Sequence, residues 1–329
     1  MRIMIAGLGS IGRRHLRNLL ALGERDLLLY RSHRSTLPDS DLQGFPVETD
    51  LRAALTWGPQ AVIVANPTAL HLEVAIPAAQ AGCHLLLEKP VSHSTDGLSE
   101  LHQALEQGGG RALVGFQFRF HPGLEQAARC LAEGAIGRPL SARAVYAEYL
   151  PGMHPWEDYR MGYGARSDLG GGVVFTLCHP LDTLGWLLGE VEAVWAFTGQ
   201  LNDLVLDVED TAEIGLRFAR GALGSVHLDY NRRPPDHHLE IIGSGGTLRW
   251  DNSSGILEVH RAEAGDRQIY PPPAGFERNV MFLEEMRHFL AVARGEAEPR
   301  CSLQDGRRAL ELALAAHRSQ QTGSLVYLS

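Results

Sequence analysis

No apolar run in this 329-residue chain approaches the about 20 consecutive residues that a membrane-spanning helix requires, so no membrane partner is expected. Basic charge is also in short supply. The formal net charge is −9, whereas nucleic-acid binding asks for a cationic face, so no nucleic-acid partner is expected and a small-molecule substrate is favoured. Cysteine is sparse: Cys83, Cys130, Cys178 and Cys301 lie far apart with no CxxC pair, which reads as reduced thiols of a cytoplasmic protein packed as small hydrophobes. No metal is expected either. His237 and His238 are adjacent, but neighbours on a strand point to opposite faces and do not readily chelate together. The opening MRIMIAGLGSIG is not expected to act as a signal peptide, because its apolar run ends in a glycine-rich turn rather than a cleavage site. There is no internal repeat and no low-complexity segment.

What is present supports about two domains at this length. The first third alternates strands and helices: Arg2–Ala6, a helix over about Ile11–Leu22, then Leu27–Tyr30 and Ala61–Ala65. It continues with a helix over Ala69–Ala81, a strand at His84–Leu87, a helix over Thr95–Glu106 and a strand at Ala112–Phe116. That rhythm builds a parallel sheet covered on both faces. After Phe116 the texture changes. A helix near Gly123–Glu133 leads into alternating runs at Ser141–Leu150, Glu192–Thr198, Glu209–Phe218, Ala222–Tyr230, Leu239–Gly243, Thr247–Trp250 and Ile256–His260, several joined by short glycine turns. These mark an antiparallel sheet. Two late helices, Glu277–Ala293 and Leu303–Gln320, precede a short strand at Ser324–Leu328, and Ser302 with Asp305 forms a capping box for the second.

Gly7-Leu8-Gly9-Ser10-Ile11-Gly12 follows a strand and opens a helix, the context a dinucleotide site requires. Gly7 permits the tight turn, Gly9 the close approach of a pyrophosphate, and Gly12 close packing of helix on strand. The phosphates would rest on the helix N-terminus at Ser10 and Ile11. An NAD enzyme usually offers an acid at the end of the second strand. Here Tyr30-Arg31-Ser32-His33-Arg34 offers none, and Arg31, Ser32 and Arg34 suit a 2′-phosphate, so NADP(H) is favoured over NAD(H). The plain alternative is a solvated basic loop. Asn66-Pro67-Thr68-Ala69-Leu70-His71 follows a buried strand at the carboxyl edge of the sheet, where such folds bind ligands; Thr68 suits a helix N-cap, and His71 either touches cofactor or sits in the first turn. The expected fold is therefore α/β, an N-terminal Rossmann doubly wound parallel sheet over 1–118. Residues 119–329 would form a C-terminal α/β domain with a mostly antiparallel open sheet that binds substrate and mediates oligomerisation.

Leu85-Leu86-Leu87-Glu88-Lys89-Pro90 carries a buried strand straight into an opposite-charge pair, again at the carboxyl edge. Together with Gly7–Gly12, Asn66–His71, and Gly170-Gly171-Gly172 leading to His179 and Asp182, this resembles the Gfo/Idh/MocA family of sugar and cyclitol oxidoreductases over essentially the whole chain. Glu88 and Lys89 thus leave the strand beside the nicotinamide end of the cofactor cleft, Glu88 contacting cofactor or only steadying Lys89; the resemblance implies that Lys89 is an active-site residue on the reacting hydroxyl or carbonyl. An ammonium suits that task because hydride transfer builds negative charge on oxygen. It also implies that the exposed face of the second sheet pairs with another subunit, giving a homodimer or homotetramer.

The second domain would supply a partner. A helix over Val173–Leu188 carries Leu177, Leu181, Leu184 and Leu188 on one stripe, with Phe175, His179, Asp182 and Trp186 opposite. His179 is the expected proton donor or acceptor, oriented by Asp182 one turn on. The plain alternative is a second packing surface. Many members of the family carry an aspartate one turn before the histidine, but here Phe175 and Thr176 stand in that region, so Tyr159 and Tyr163 remain alternative acids and Thr176 itself a substrate contact. The segment His154-Pro155-Trp156-Glu157-Asp158-Tyr159-Arg160 reads as a substrate loop through Trp156 and Tyr159, and Arg119 also suits the cleft. The resulting expectation is reversible hydride transfer between a nicotinamide cofactor and a sugar or cyclitol alcohol or ketone. Its rivals are a non-catalytic dinucleotide-binding regulator on the same fold, and an enzyme that recycles bound cofactor on a non-sugar substrate.

Overall fold

The structure, a computed structural model, describes residues 1–32, 37–262 and 265–328. It divides into two compact units, Met1–Gln117 with Asp168–Gly170 and Arg278–Arg307, and Phe118–Ser167 with Gly171–Glu277 and Arg308–Ser329. No helix among the described residues is long and apolar enough to cross a membrane.

The first unit runs β1 (Ile3–Ala6), α1 (Ser10–Ala21), β2 (Leu27–Tyr30), β3 (Val47–Glu48), α2 (Leu51–Thr56), β4 (Ala61–Val64), α3 (His71–Gln80), β5 (His84–Leu87), α4 (Leu98–Gly108) and β6 (Ala112–Val114). The six strands are parallel in the order β3-β2-β1-β4-β5-β6. Ile3, Ile5, Val62, Ile63, Leu85, Leu86 and Leu113 are all 0% exposed, as both faces of a parallel sheet demand. Register decides where chemistry emerges. Ala6 pairs with Tyr30 and Val64, and Val64 with Leu87, so Gly7, Arg31, Ala65 and Glu88 leave the sheet in one row past the carboxyl ends. β3 and α2 are not evident from periodicity. Two residues carry no period, and α2 is set by its cap, Asp50 accepting from the Ala53 N–H at 2.7 Å.

The second unit contains α5 (Pro122–Ala132), β7 (Pro139–Ala147), α6 (Leu150–Met153), α7 (Val173–Thr176), α8 (His179–Leu188), β8 (Val191–Gly199), β9 (Thr211–Phe218), β10 (Leu223–Asp229), β11 (Asp236–Gly243), β12 (Gly246–Asp251), β13 (Leu257–Arg261) and β14 (Asp266–Tyr270). Its nine-stranded sheet has the order β14-β13-β12-β11-β7-β10-β9-β8-β15, where β15 is Val326–Tyr327. Every pairing is antiparallel except β7 with β10. Strands such as β9 bury Ala212, Ile214, Leu216 and Phe218 and turn the alternate residues outward. β14 has no buried residue, so alternation cannot reveal it.

Two expectations are corrected. The single helix over Val173–Leu188 is two helices broken at Leu177–Cys178, because Pro180 in the first turn of α8 has no N–H to continue a helix from α7. The domain division also differs from 1–118 and 119–329. Helix α9 (Arg278–Ala293) belongs to the first unit, where its buried Met281, Phe282, Met286 and Phe289 supply the apolar face that packs against α1. Asn279 bonds Asn18 at 3.0 Å and Arg294 bonds Glu24 at 2.8 Å, links with no local sequence signature. Helix α10 (Leu303–Thr322) opens on the capping box, the Asp305 N–H donating to Ser302 Oγ at 3.2 Å and the Ser302 N–H to Asp305 Oδ2 at 2.8 Å.

Candidate active site

In the first unit the turn between β1 and α1 is shaped by glycine. Gly7 holds φ +93°, and a Cβ on Gly12 would stand 1.9 Å from the Gly7 carbonyl oxygen. A Cβ on Gly9, by contrast, meets nothing within 4 Å. Helix α1 begins after Gly9 with no side-chain cap and no acid in its first turn, so the N–H groups around Ser10, Ile11 and Gly12 present positive potential to that open space. A dinucleotide pyrophosphate fits this cradle. Gly12→Ala is accordingly expected to destabilise the protein by about 1–3 kcal/mol through overpacking, whereas Gly9→Ala keeps its stability and weakens dinucleotide binding. Paired thermal melts and NADPH fluorescence titrations check the contrast.

The turn is braced by Arg13, whose role the motif alone does not announce. Its buried guanidinium donates to the Leu8 carbonyl at 2.9 Å, to Pro38 O at 2.7 Å and to Leu37 O at 3.3 Å, tying the glycine turn to the chain beyond β2. A cation directly after Gly12 was the available signal. Arg31 is buried and Ser32 exposed, and the Arg31 N–H donates to Glu48 O at 3.1 Å; Arg34 lies outside the described residues.

Asn66 and His71 lock their segment to itself. The Asn66 amide donates to Leu70 O at 2.8 Å and the His71 Nε2–H to Asn66 O at 2.9 Å. Burial pushes the His71 imidazole below its ordinary pKa, so it sits neutral in the first turn of α3. Thr68 does not cap that helix, contrary to expectation. A short 3-10 turn, Thr68–Leu70, intervenes and Leu70 takes the cap position.

Glu88 is buried, with Oε1 2.7 Å from His15 Nε2. Burial alone raises its carboxyl, but the His15 hydrogen bond, the imidazole and the Lys89 ammonium together hold it below the usual carboxylate range. Lys89 follows, half-buried, with a cis peptide to Pro90. The composition carries a further signal that the motifs do not: among 30 Lys and Arg residues, Lys89 is the only lysine.

In the second unit His179 opens α8 and is buried, its ring edge-on to Phe118 at 5.0 Å and tilted against Tyr146 at 6.3 Å. Tyr146 stacks on His237 at 4.5 Å and 4°, and His237 Nε2 lies 2.9 Å from Glu148 Oε1. Asp182 and Arg119 meet each other. Arg119 Nη2 donates to Asp182 Oδ1 at 2.7 Å and Nε to Oδ2 at 3.1 Å, so both carboxylate oxygens that were expected to orient His179 are engaged by the guanidinium expected to face substrate. The physical reason is burial, since an arginine under 10% exposed needs a carboxylate. The Arg119 guanidinium also lies 5.8 Å from the Trp186 ring. Thr176 is buried, and the Tyr230 hydroxyl donates to Gly164 O at 3.2 Å. The Tyr159 hydroxyl accepts from the Val205 N–H at 3.2 Å, and Trp156 is 65% exposed. All four cysteines are free thiols and buried. Among the described residues no group of three or more His, Cys, Asp or Glu is arranged to hold a metal.

Two family models match this chain: the oxidoreductase family with an NAD-binding Rossmann fold over residues 1–116, and the GFO/IDH/MocA C-terminal domain over residues 124–249. The chain belongs to the Gfo/Idh/MocA oxidoreductase family. It is a nicotinamide-dependent oxidoreductase of that family, transferring hydride at a CH–OH or carbonyl carbon. It is 29% identical to myo-inositol 2-dehydrogenase of Thermotoga maritima, over 97% of this chain and 96% of that protein. It is 28% identical to 1,5-anhydro-D-fructose reductase of Ensifer adhaerens, over 80% and 78% respectively. Among solved structures, the WlbA dehydrogenase of Bordetella pertussis, in complex with NADH and UDP-GlcNAcA, superposes with a TM-score of 0.82 over 100% of this chain and 99% of that one. Its 24% identity speaks to fold alone.

Proposed function

We propose that this oxidoreductase acts on a secondary alcohol or ketone of a sugar or cyclitol, with Lys89 hydrogen-bonding the reacting oxygen and His179 passing the proton. The observation that carries this reading is the position of Lys89, a half-buried ammonium leaving β5 in the same row as the Gly7 turn. The bound nicotinamide would supply or accept the hydride. Charge that builds on the reacting oxygen is stabilised by the ammonium, whose compact donors follow a moving oxygen better than a planar guanidinium does. His179, lodged among Phe118 and Tyr146, is a histidine held in a fixed pose, as a general acid or base needs. The two relatives by sequence carry names of a cyclitol dehydrogenase and an anhydro-sugar reductase, which supports a polyhydroxylated substrate.

The cofactor reading is NADP(H) over NAD(H). It is supported by Arg31 and Ser32, without an acid, directly after β2. The exposed aromatic pair Trp195 and Phe197 on β8, with Leu223 at the start of β10, supports a homodimer or homotetramer formed through the sheet. One experiment tests substrate and cofactor together. Purified protein is screened with myo-inositol, levoglucosan and 1,5-anhydro-D-fructose against both dinucleotide pairs, following absorbance at the nicotinamide band. Turnover with a polyol and tighter binding of NADPH than NADH are expected. No turnover across the panel overturns the substrate class, and tighter NADH binding overturns the role given to Arg31.

A further inference from the structure

We propose that His15 is a positioning residue for Lys89, acting through the buried Glu88 carboxylate. Three elements of the first unit converge on that carboxylate. Its Oε1 meets His15 Nε2 from α1 at 2.7 Å, and its Oε2 accepts from the backbone N–H of Lys89 itself at 3.3 Å. On β6's exit, Gly115 makes the room, since a Cβ there would stand 3.3 Å from the Glu88 carboxyl carbon. His15 is 0% exposed and three residues beyond Gly12, so the helix that opens the dinucleotide turn also carries the group that holds the carboxylate beside the lysine.

A second acid shares the pocket. Glu285 on α9 is 0% exposed, and neither of its carboxyl oxygens has a hydrogen-bond partner among the described residues. Burial and the neighbouring Glu88 charge push its carboxyl well above the ordinary range, so it stays neutral. The groups that face Glu88 are His15 and Arg14 on α1, His71 on α3, Lys89 in its own segment and Glu285 on α9. The pocket therefore holds one carboxylate, on the acid that has a partner, and that charge sits where it favours the ammonium form of Lys89. The ammonium is the form that hydrogen-bonds a developing oxyanion.

The single lysine makes the test direct. In the 329-residue chain carrying ¹³C-lysine, with neither dinucleotide nor substrate present, one side-chain resonance reports the titration of Lys89. Glu88→Gln is expected to lower its midpoint by about one pH unit because it removes the neighbouring charge, and His15→Leu by a smaller amount because the carboxylate is no longer held beside the lysine. His15→Gln, whose amide nitrogen reaches the same oxygen, restores most of the shift. Glu285→Gln leaves the midpoint in place. An unmoved midpoint in both Glu88→Gln and His15→Leu overturns the proposal, as does a Glu285→Gln shift equal to that of Glu88→Gln. If Glu88→Gln fails to fold, the comparison of His15→Leu with His15→Gln decides alone. The inference rests on Lys89 as the group meeting the reacting oxygen, but a failed substrate screen and an unmoved lysine titration are separate results.

Discussion

Lys89→Met is expected to lower kcat by about 10²- to 10³-fold, the usual loss when one donor to a developing oxyanion is removed, while dinucleotide binding is retained. The substitution removes charge and hydrogen bonds but keeps an unbranched apolar stem of similar length, so β5 and the row of residues past its carboxyl end should hold. Lys89→Arg is the sharper variant. The chain uses arginine for every other one of its 30 Lys and Arg residues, including buried, exposed and ion-paired positions. A guanidinium preserves the charge but is a wide planar fork that cannot place one compact donor on a single oxygen. Arg at position 89 is therefore expected to behave nearly as poorly as Met. Steady-state kinetics with the substrate found in the screen, beside nucleotide fluorescence titrations, separate chemistry from binding. Turnover retained within about tenfold in Lys89→Met would remove Lys89 from the reaction, because a loss that small is below what an oxyanion donor supplies.

The second large effect concerns stability. Arg119→Met is expected to destabilise the second unit by about 3–5 kcal/mol, because it strands a buried carboxylate. Asp182 is 2% exposed in its side chain and Arg119 8%, with the pair joined through both carboxylate oxygens. Replacing both partners, Arg119→Met with Asp182→Leu, should recover most of the loss, since apolar groups of similar size in place of a buried ion pair are often neutral. Chemical denaturation followed by tryptophan fluorescence suits the measurement, with Trp186 beside the guanidinium as a local reporter. The double variant also distinguishes the two roles open to Asp182. If Asp182 is there for Arg119, the double variant keeps its kcat. A kcat collapse with stability restored would return Asp182 to a role on His179.

Much of the site was legible because its signals are local. The glycine turn is a run of six residues whose spacing encodes positive φ and close packing, and in the structure Gly7 holds φ +93° while a Cβ on Gly12 would meet the Gly7 carbonyl oxygen. The strand into Glu88 and Lys89 was legible for a like reason, as an apolar run of β length ending in charges. Lys89 carried a stronger signal still, hidden when lysine and arginine are counted as one cationic class. Periodicity misled at the Val173–Leu188 helix. Residues on both sides of a largely buried helix pair satisfy a helical pattern equally well, and Pro180 was the one local mark of the break. β14 gave no pattern because an exposed edge strand has no buried face.

By itself, the sequence determined the parallel sheet, the dinucleotide turn and the lysine at its edge, because each rests on neighbours within a few residues, where backbone geometry and alternation are decided. Only the tertiary structure decided the partners of the charges. Glu88 finds His15 across 73 positions, Asp182 finds Arg119 across 63, and Asn279 on α9 finds Asn18 across 261. Such pairs form because a buried charge or amide must be satisfied by whatever packing brings near, and packing across that much chain leaves no trace in local periodicity.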